Sequence, residues 1–460
     1  MLNKKSIFFI GSITFIALTI LSIIFYKERT CFIDIAFHLF YILKDNDFAI
    51  QNYRFGAFFT QLFPLLGAWF GASLKSITMT YSMSFVLLPF FTFLSILFWI
   101  KNNRIALSYL LFSIIMTTHT FYWIQSELPQ AMAFFFIYLA LLDNQLNNQK
   151  TNQKIYYTLS IFLITTIAFT HPLMLIPFSF ILIMYWLSYH QKRKEIYISL
   201  SIFIGSYFVK SLFFKTKYDS QAMHGLINFK QLFPDYFSLD SNIHFVQYLI
   251  KDYYFVLLFL FIGLFFYFIK KDYLKLILLG GYFFAITLLI NVTYPNGADQ
   301  FYLENQYLLL AFVVIIPIVF ELSNKIEKPY LQIGLLTLIC SLGCVRIIIA
   351  APTYTNRLNW NQQLLSKTEN AAHKKLIISS KKVPKDILMM TWSTSYEIWL
   401  LSTIETNNSR SIIIEETENE FDNALSSNKS FFTKWGYFDY GDLNKKYFHF
   451  HDTTNYIKVE

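Results

Sequence analysis

Long apolar runs separated by short polar breaks dominate the first three quarters of the chain. From Ser6 to Ala350 roughly eleven apolar stretches follow one another, each near the roughly 20 residues that cross a hydrocarbon core. They are read at 6–26, 79–100, 104–121, 128–143, 155–170, 172–189, 196–214, 251–269, 274–291, 306–321 and 330–350. Beyond Ala350 the pattern becomes polar and charged. There, Lys375–Ser379, Ile387–Trp392 and Ser411–Glu415 read as strands, and Ser395–Ile404 reads as a helix. The predicted fold is an all-α polytopic membrane protein of about eleven transmembrane helices (residues 1–350) with a small C-terminal α/β domain (351–460).

Two segments depart from this rhythm. Phe55–Leu74 carries no charge, yet Pro64, Gly67 and Gly71 interrupt it, and it reads as an interfacial or re-entrant helix. Asp34–Asp45 has period-3.6 amphipathicity. Asp34, His38, Tyr41 and Asp45 form one polar stripe, and Ile35, Ala36, Leu39, Phe40, Ile42 and Leu43 form the opposite face. Such a helix is expected to lie parallel to the membrane, apolar side down, within an outer loop spanning residues 27–78.

Charge orients the spans. One set of short loops carries Lys4 and Lys5, Lys101 and Arg104, Lys150 and Lys154, Lys192 to Lys194, Lys270 to Lys275, and Lys325 and Lys328. The alternate short loops, Thr117–Gln130, Thr170–Pro172 and Asn291–Asn305, contain neither Lys nor Arg. The positive-inside rule makes the first set cytoplasmic. The expected location is the plasma (inner) membrane, multi-pass, with a cytoplasmic N-terminus and an extracytoplasmic C-terminal domain.

Composition agrees. Hydrophobic residues make up 55% and charged residues 15%, against roughly 25% charged in soluble domains. The net charge of +9 sits largely in the cytoplasmic loops, so it sets topology and implies no nucleic-acid partner. Cys31, Cys340 and Cys344 make no disulfide framework and no metal-binding spacing.

The membrane portion resembles the GT-C superfamily of membrane glycosyltransferases. Asp34 stands eight residues beyond Tyr26, where members carry an acidic catalytic residue. Ala57–Ile100 and Tyr122–Asp143, the latter with Ser126-Glu127-Leu128-Pro129, resemble the segments that follow in that superfamily. The likeness is local over Ser6–Asp143 and one of layout over Ser6–Ala350. Asp34 is followed by Ile35 where many members have a second acidic residue. The resemblance implies transfer of a hexose or pentose from a polyprenyl-phosphate carrier to an acceptor at the outer face, as in mannosyl- and arabinosyltransferases. The partners so implied are the lipid-linked donor and the bilayer. No cofactor is implied and no metal ligands are indicated, although a divalent metal remains compatible.

That chemistry assigns candidates. Asp34 is the expected catalytic base. His38, one turn later, is read as a substrate-binding residue or an interfacial imidazole. Glu127, at the outer end of a hairpin, is a second substrate-binding candidate. His171-Pro172 forms a tight outer turn and His171 either lines the cavity or serves that turn. Arg346 lies four residues before the outer end of a span; it binds a phosphate, faces the bundle or snorkels to the interface. Asp45-Asn46-Asp47 reads as a helix end and turn. Two other classes fit the same layout: a transporter or flippase for a lipid-linked or sugar substrate, and a non-catalytic assembly protein of GT-C-like fold.

Overall fold

Every one of the eleven apolar stretches contains a helix, but several helices are too short or too polar to span a bilayer. The structure is a computed structural model describing residues 2–147, 152–189, 193–217, 223–369 and 373–459. Lys150 and Lys192 of the basic loops lie outside the described residues. The first half comprises α1 (Lys4–Ile24), α2 (Tyr26–Thr30), α3 (Ile33–Asp45), α4 (Phe58–Trp69), α5 (Leu74–Leu94), α6 (Asn103–Ile115), α7 (Glu127–Leu146), α8 (Gln153–Thr170), α9 (Leu175–Ser188) and α10 (Arg193–Phe213). The longer helices that follow are α11 (Asp240–Lys251), α12 (Tyr254–Ile269), α13 (Tyr273–Thr293), α14 (Gln300–Pro317), α15 (Pro329–Thr368) and α16 (Thr394–Thr406).

Among the described residues, six helical segments are long and apolar enough to cross a membrane: Lys4–Ile24, Leu74–Trp99, Arg193–Phe213, Tyr273–Thr293, Gln300–Leu322 and Pro329–Thr368. A seventh arises if α11 and α12, bent by 90°, count as one span. The expectation of about eleven is thus corrected. In the stretch 104–121 the helix stops at Ile115, because Glu304 takes the backbone N–H groups of Thr118, His119 and Thr120 at 2.7, 2.9 and 2.8 Å and holds them as a loop. The stretch 172–189 begins with a 3₁₀ turn at Pro172 and leaves α9 only 14 residues.

Helix α14 is buried along almost its whole length and forms the bundle centre, with Phe312 against Phe135, Phe136 and Phe180. The peripheral helices present bare apolar stripes at helical spacing, such as Phe9, Ile13, Ile16, Ile20 and Ile24 on α1. Such uncovered stripes are compatible with lipid contact. Residues of two basic loops come together. Arg104 pairs with Asp143 and reaches Tyr189 while lying over the Phe320 ring, next to the Lys275–Glu321 pair.

The uncharged stretch after Arg54 folds as a 3₁₀ turn, then α4, then a reversal at Gly71 (φ +74°) into α5. Pro64 sits inside α4 without ending it. Helix α3 forms where the periodicity placed it, but its apolar face is covered by protein rather than lipid. Phe40 is fully buried among Tyr396, Trp399, Phe431, Phe438 and Phe448 of the C-terminal domain. Burying such a ring is worth about 1.5–3 kcal/mol, so α3 and this domain pack as one body.

Helix α15 runs unbroken for 40 residues through Pro352, carrying the chain from the apolar bundle into the C-terminal domain. That domain contains a parallel sheet of β1 (Lys375–Ser379), β2 (Ser411–Glu415) and β5 (Ile457–Val459) in the order β2-β1-β5. An antiparallel pair, β3 (Ser430–Thr433) and β4 (Gly436–Asp439), lies beside it. Strands β1 and β2 are apolar on both faces because both are covered. Leu376, Ile378, Ile412 and Ile414 pack with Ile398 of α16, and Ile377 and Ile413 pack with Phe421, Phe432 and Tyr456. The expected strand Ile387–Trp392 does not form. Its start is a helical turn, Lys385–Leu388, and Met389 then adopts φ +57°, which takes the chain out of any ladder.

Candidate active site

Asp34 stands in the first turn of α3, directly after Ile33, whose backbone is left-handed at φ +36°. The Trp123 indole N–H donates to Asp34 Oδ2 at 2.8 Å. Trp123 comes from the loop between α6 and α7, and its ring packs against Phe301 and Tyr302 of α14. Burial pushes the Asp34 carboxyl up to about 6, and the nearby Glu127 charge adds to the rise. The Trp123 hydrogen bond and the Arg54 charge pull the other way. Burial dominates.

Glu127 opens α7, and its Oε2 accepts from Arg54 Nη1 at 2.8 Å with both side chains largely shielded. The Arg54 charge reaches Asp34, His38 and His171 alike, which makes it the electrostatic centre of the group. His38 faces the backbone carbonyl of Ala49 with Nδ1 at 3.0 Å, so Nδ1 carries the proton and Nε2 is the acceptor nitrogen. Burial lowers its pKa, and the ring is neutral at pH 7. His171 is neutral too, its pKa held well down by burial and then by Arg54 and Lys210. Its Nδ1 accepts from Leu173 N–H at 3.2 Å, capping the turn that starts at Pro172.

Asp34, His38 and Glu127 are therefore brought together, and His171 lies within reach of the same Arg54 charge. Arg346 is elsewhere. Its guanidinium donates to the carbonyls of Asp252 and Ile114, the second at 2.6 Å, and lies 5.6 Å from the Tyr254 ring centroid. It ties the end of α6 to the bend between α11 and α12, a structural task. Asp45, Asn46 and Asp47 form a helix end: Asn46 is left-handed at φ +52°, and Asp47 accepts from the N–H of Phe48. Among the described residues, no three His, Cys, Asp or Glu side chains gather as a metal ion would need.

A cavity of about 110 Å³ has Trp123 in its wall. Phe15, Leu18, Phe85, Val86 and Phe112 line its apolar part, and Thr60, Ser126 and Gln130 supply polar groups. Arg29 is the cation in its wall, buried and anchored to Ser82 Oγ, Ser82 O and Phe121 O at 2.9, 3.0 and 2.6 Å. Asp34 is not part of that wall, but Trp123, which hydrogen-bonds Asp34, is.

Three participants escaped the sequence reading. Arg54 had a faint signal, as the cation just before an uncharged run. Trp123 and Arg29 had none, because each is recruited by residues distant in the chain. No protein-family model matches the chain, no curated protein matches its sequence, and no solved structure matches its fold.

Proposed function

We propose that the protein is an integral-membrane glycosyltransferase that moves a sugar from a polyprenyl-phosphate carrier to an acceptor at the outer face. The observation that carries this reading is the Trp123 bridge: one side chain orients the Asp34 carboxylate and also closes an apolar cavity with a cationic wall. A carboxyl titrating near 6 is ionised at neutral pH yet basic enough to take an acceptor proton as the sugar–oxygen bond forms. Trp123 holds one oxygen, and the other would receive that proton. The departing lipid phosphate gains negative charge, and Arg54, whose charge reaches Asp34, is the cation we assign to it; Arg29 and Arg346 are both committed to backbone carbonyls. His38, neutral with Nε2 as acceptor, would align a sugar or acceptor hydroxyl.

The test uses purified protein in lipid with radiolabelled polyprenyl-phosphate sugars and hydroxyl acceptors. Asp34→Asn should lower transfer by about 10²–10⁴-fold, the usual contribution of a general base. Full transfer by a normally folded Asp34→Asn variant would rule the assignment out. Unmodified substrate crossing the bilayer would favour a transporter instead.

A further inference from the structure

The C-terminal domain holds a second cavity, of about 230 Å³, that the reading above leaves unused. It sits at the amino-terminal ends of β1 and β2, with Lys375 opening the first strand and Lys374 and Arg410 standing just before the first and second strands. Tyr440 and Asp452, from the tail of the chain, complete it. It suits a small ligand.

Its polar groups are incompletely used. Arg410 is only 8% exposed, yet its Nη1 has no hydrogen-bond partner. The Tyr440 hydroxyl and Asp452 Oδ2 are likewise buried without one. Native proteins rarely leave such atoms unmatched, and three around one cavity point to a missing molecule. Lys375 Nζ is held at 3.2 Å by the carbonyls of Ser427 and Asn428, so it contributes charge more than donors. Asp452 Oδ1 is occupied by the N–H and hydroxyl of Thr454 at 2.8 and 2.7 Å. The unmet needs are therefore an anion for Arg410 and Lys374 and a hydroxyl donor for Asp452 Oδ2. Three cations face one carboxylate, and such an excess in a concave site concentrates anions. A planar guanidinium also matches phosphate oxygens in pairs.

We propose that this cavity binds a small polyol phosphate, with its phosphate on Arg410 and Lys374 and one of its hydroxyls on Asp452. The site does not depend on the transferase reading.

Calorimetry on the full-length protein, in discs of zwitterionic lipid, tests it with glycerol 3-phosphate, inorganic phosphate and glycerol. Glycerol 3-phosphate should bind at least about tenfold more tightly than inorganic phosphate, and glycerol alone should not bind. Arg410→Gln should weaken both phosphates by about tenfold or more. Because the unpartnered Arg410 Nη1 has no hydrogen bond to lose, that variant should fold; Lys374→Gln, at the half-exposed rim, should weaken both without touching the core. Asp452→Asn should weaken glycerol 3-phosphate and leave inorganic phosphate as tight or tighter. Vesicles of phosphatidylglycerol added as competitor separate a lipid headgroup, which would displace the probe, from a soluble ligand, which would not be displaced; either result keeps the site. No binding up to roughly 10 mM, beyond even a millimolar affinity, overturns the proposal. Equal affinity for both phosphates with no effect of Asp452→Asn, or affinity that survives both Arg410→Gln and Lys374→Gln, also overturns it.

Discussion

The Glu397 carboxylate accepts a hydrogen bond from the backbone N–H of Ile33 at 2.9 Å, joining residues 364 positions apart. The same buried carboxylate receives the Arg357 guanidinium at 2.6 and 3.0 Å, Asn361 at 3.2 Å and the Ser393 hydroxyl at 2.6 Å. Ile33 is a β-branched residue at φ +36°, a conformation costing about 1–3 kcal/mol that persists only where the surroundings impose it. Here α15 and α16 impose it, and the next residue is Asp34. The C-terminal domain thus sets the start of α3.

Glu397→Gln should be strongly destabilising. It leaves Arg357 buried without its countercharge, which costs about 3–5 kcal/mol. The double variant Arg357→Met with Glu397→Leu should recover much of that loss in thermal melts, because no lone charge remains. If the single variant melts like wild type, the Ile33 clamp is not a structural determinant.

Asp34→Asn should raise stability at pH 7.5 and change little at pH 4. The folded carboxyl titrates near 6, above its ordinary 3.8, so the fold disfavours the ionised form. Stability from the protonated state is complete below about 4 and is lost as pH rises through about 6. The amide removes that penalty, on the order of 1–3 kcal/mol above pH 7. Melting curves at the two pH values check the sign.

Trp123→Phe should shift the acidic limb of the transfer pH profile above 6. The ring, and with it most of the burial, survives, but the N–H that favours the ionised carboxylate is lost. An unchanged inflection would mean that Asp34 is not the group being titrated.

Arg346→Ala should cost about 1–3 kcal/mol, since two buried carbonyls lose their donor. Arg346→Lys should restore only part, because one ammonium cannot span two carbonyls as the planar fork does. Kinetics at a temperature where all variants are folded should show donor KM close to wild type. A large KM rise without loss of stability would return Arg346 to the substrate.

Cysteine labelling should place Lys194 and the half-buried Lys458 on opposite sides of the membrane, with Lys194 cytoplasmic. The basis is the segregation of Lys and Arg into alternate loops. Opposite sides need an odd number of crossings, as when α11 and α12 count as one span; labelling of both from one side would fit the even count of six.

The sequence by itself determined the helical bundle, the amphipathic α3 with Asp34 and His38 on one face, strands β1 and β2 and the helix between them. All of these are local patterns, set by side-chain period and turn residues within one segment. It did not determine how many helices span, because hydropathy runs on past the point where Glu304 stops α6. Nor did it show that α3 buries its apolar face in the C-terminal domain: an apolar stripe reads the same whether lipid or Phe40's five aromatic neighbours cover it. Arg54, Trp123 and Glu397 act on Asp34 from other segments, and Arg346 turns to backbone carbonyls that no sequence pattern marks. Those partners are chosen only when distant segments pack, since a buried charge must find whatever donor or acceptor the tertiary structure brings within reach.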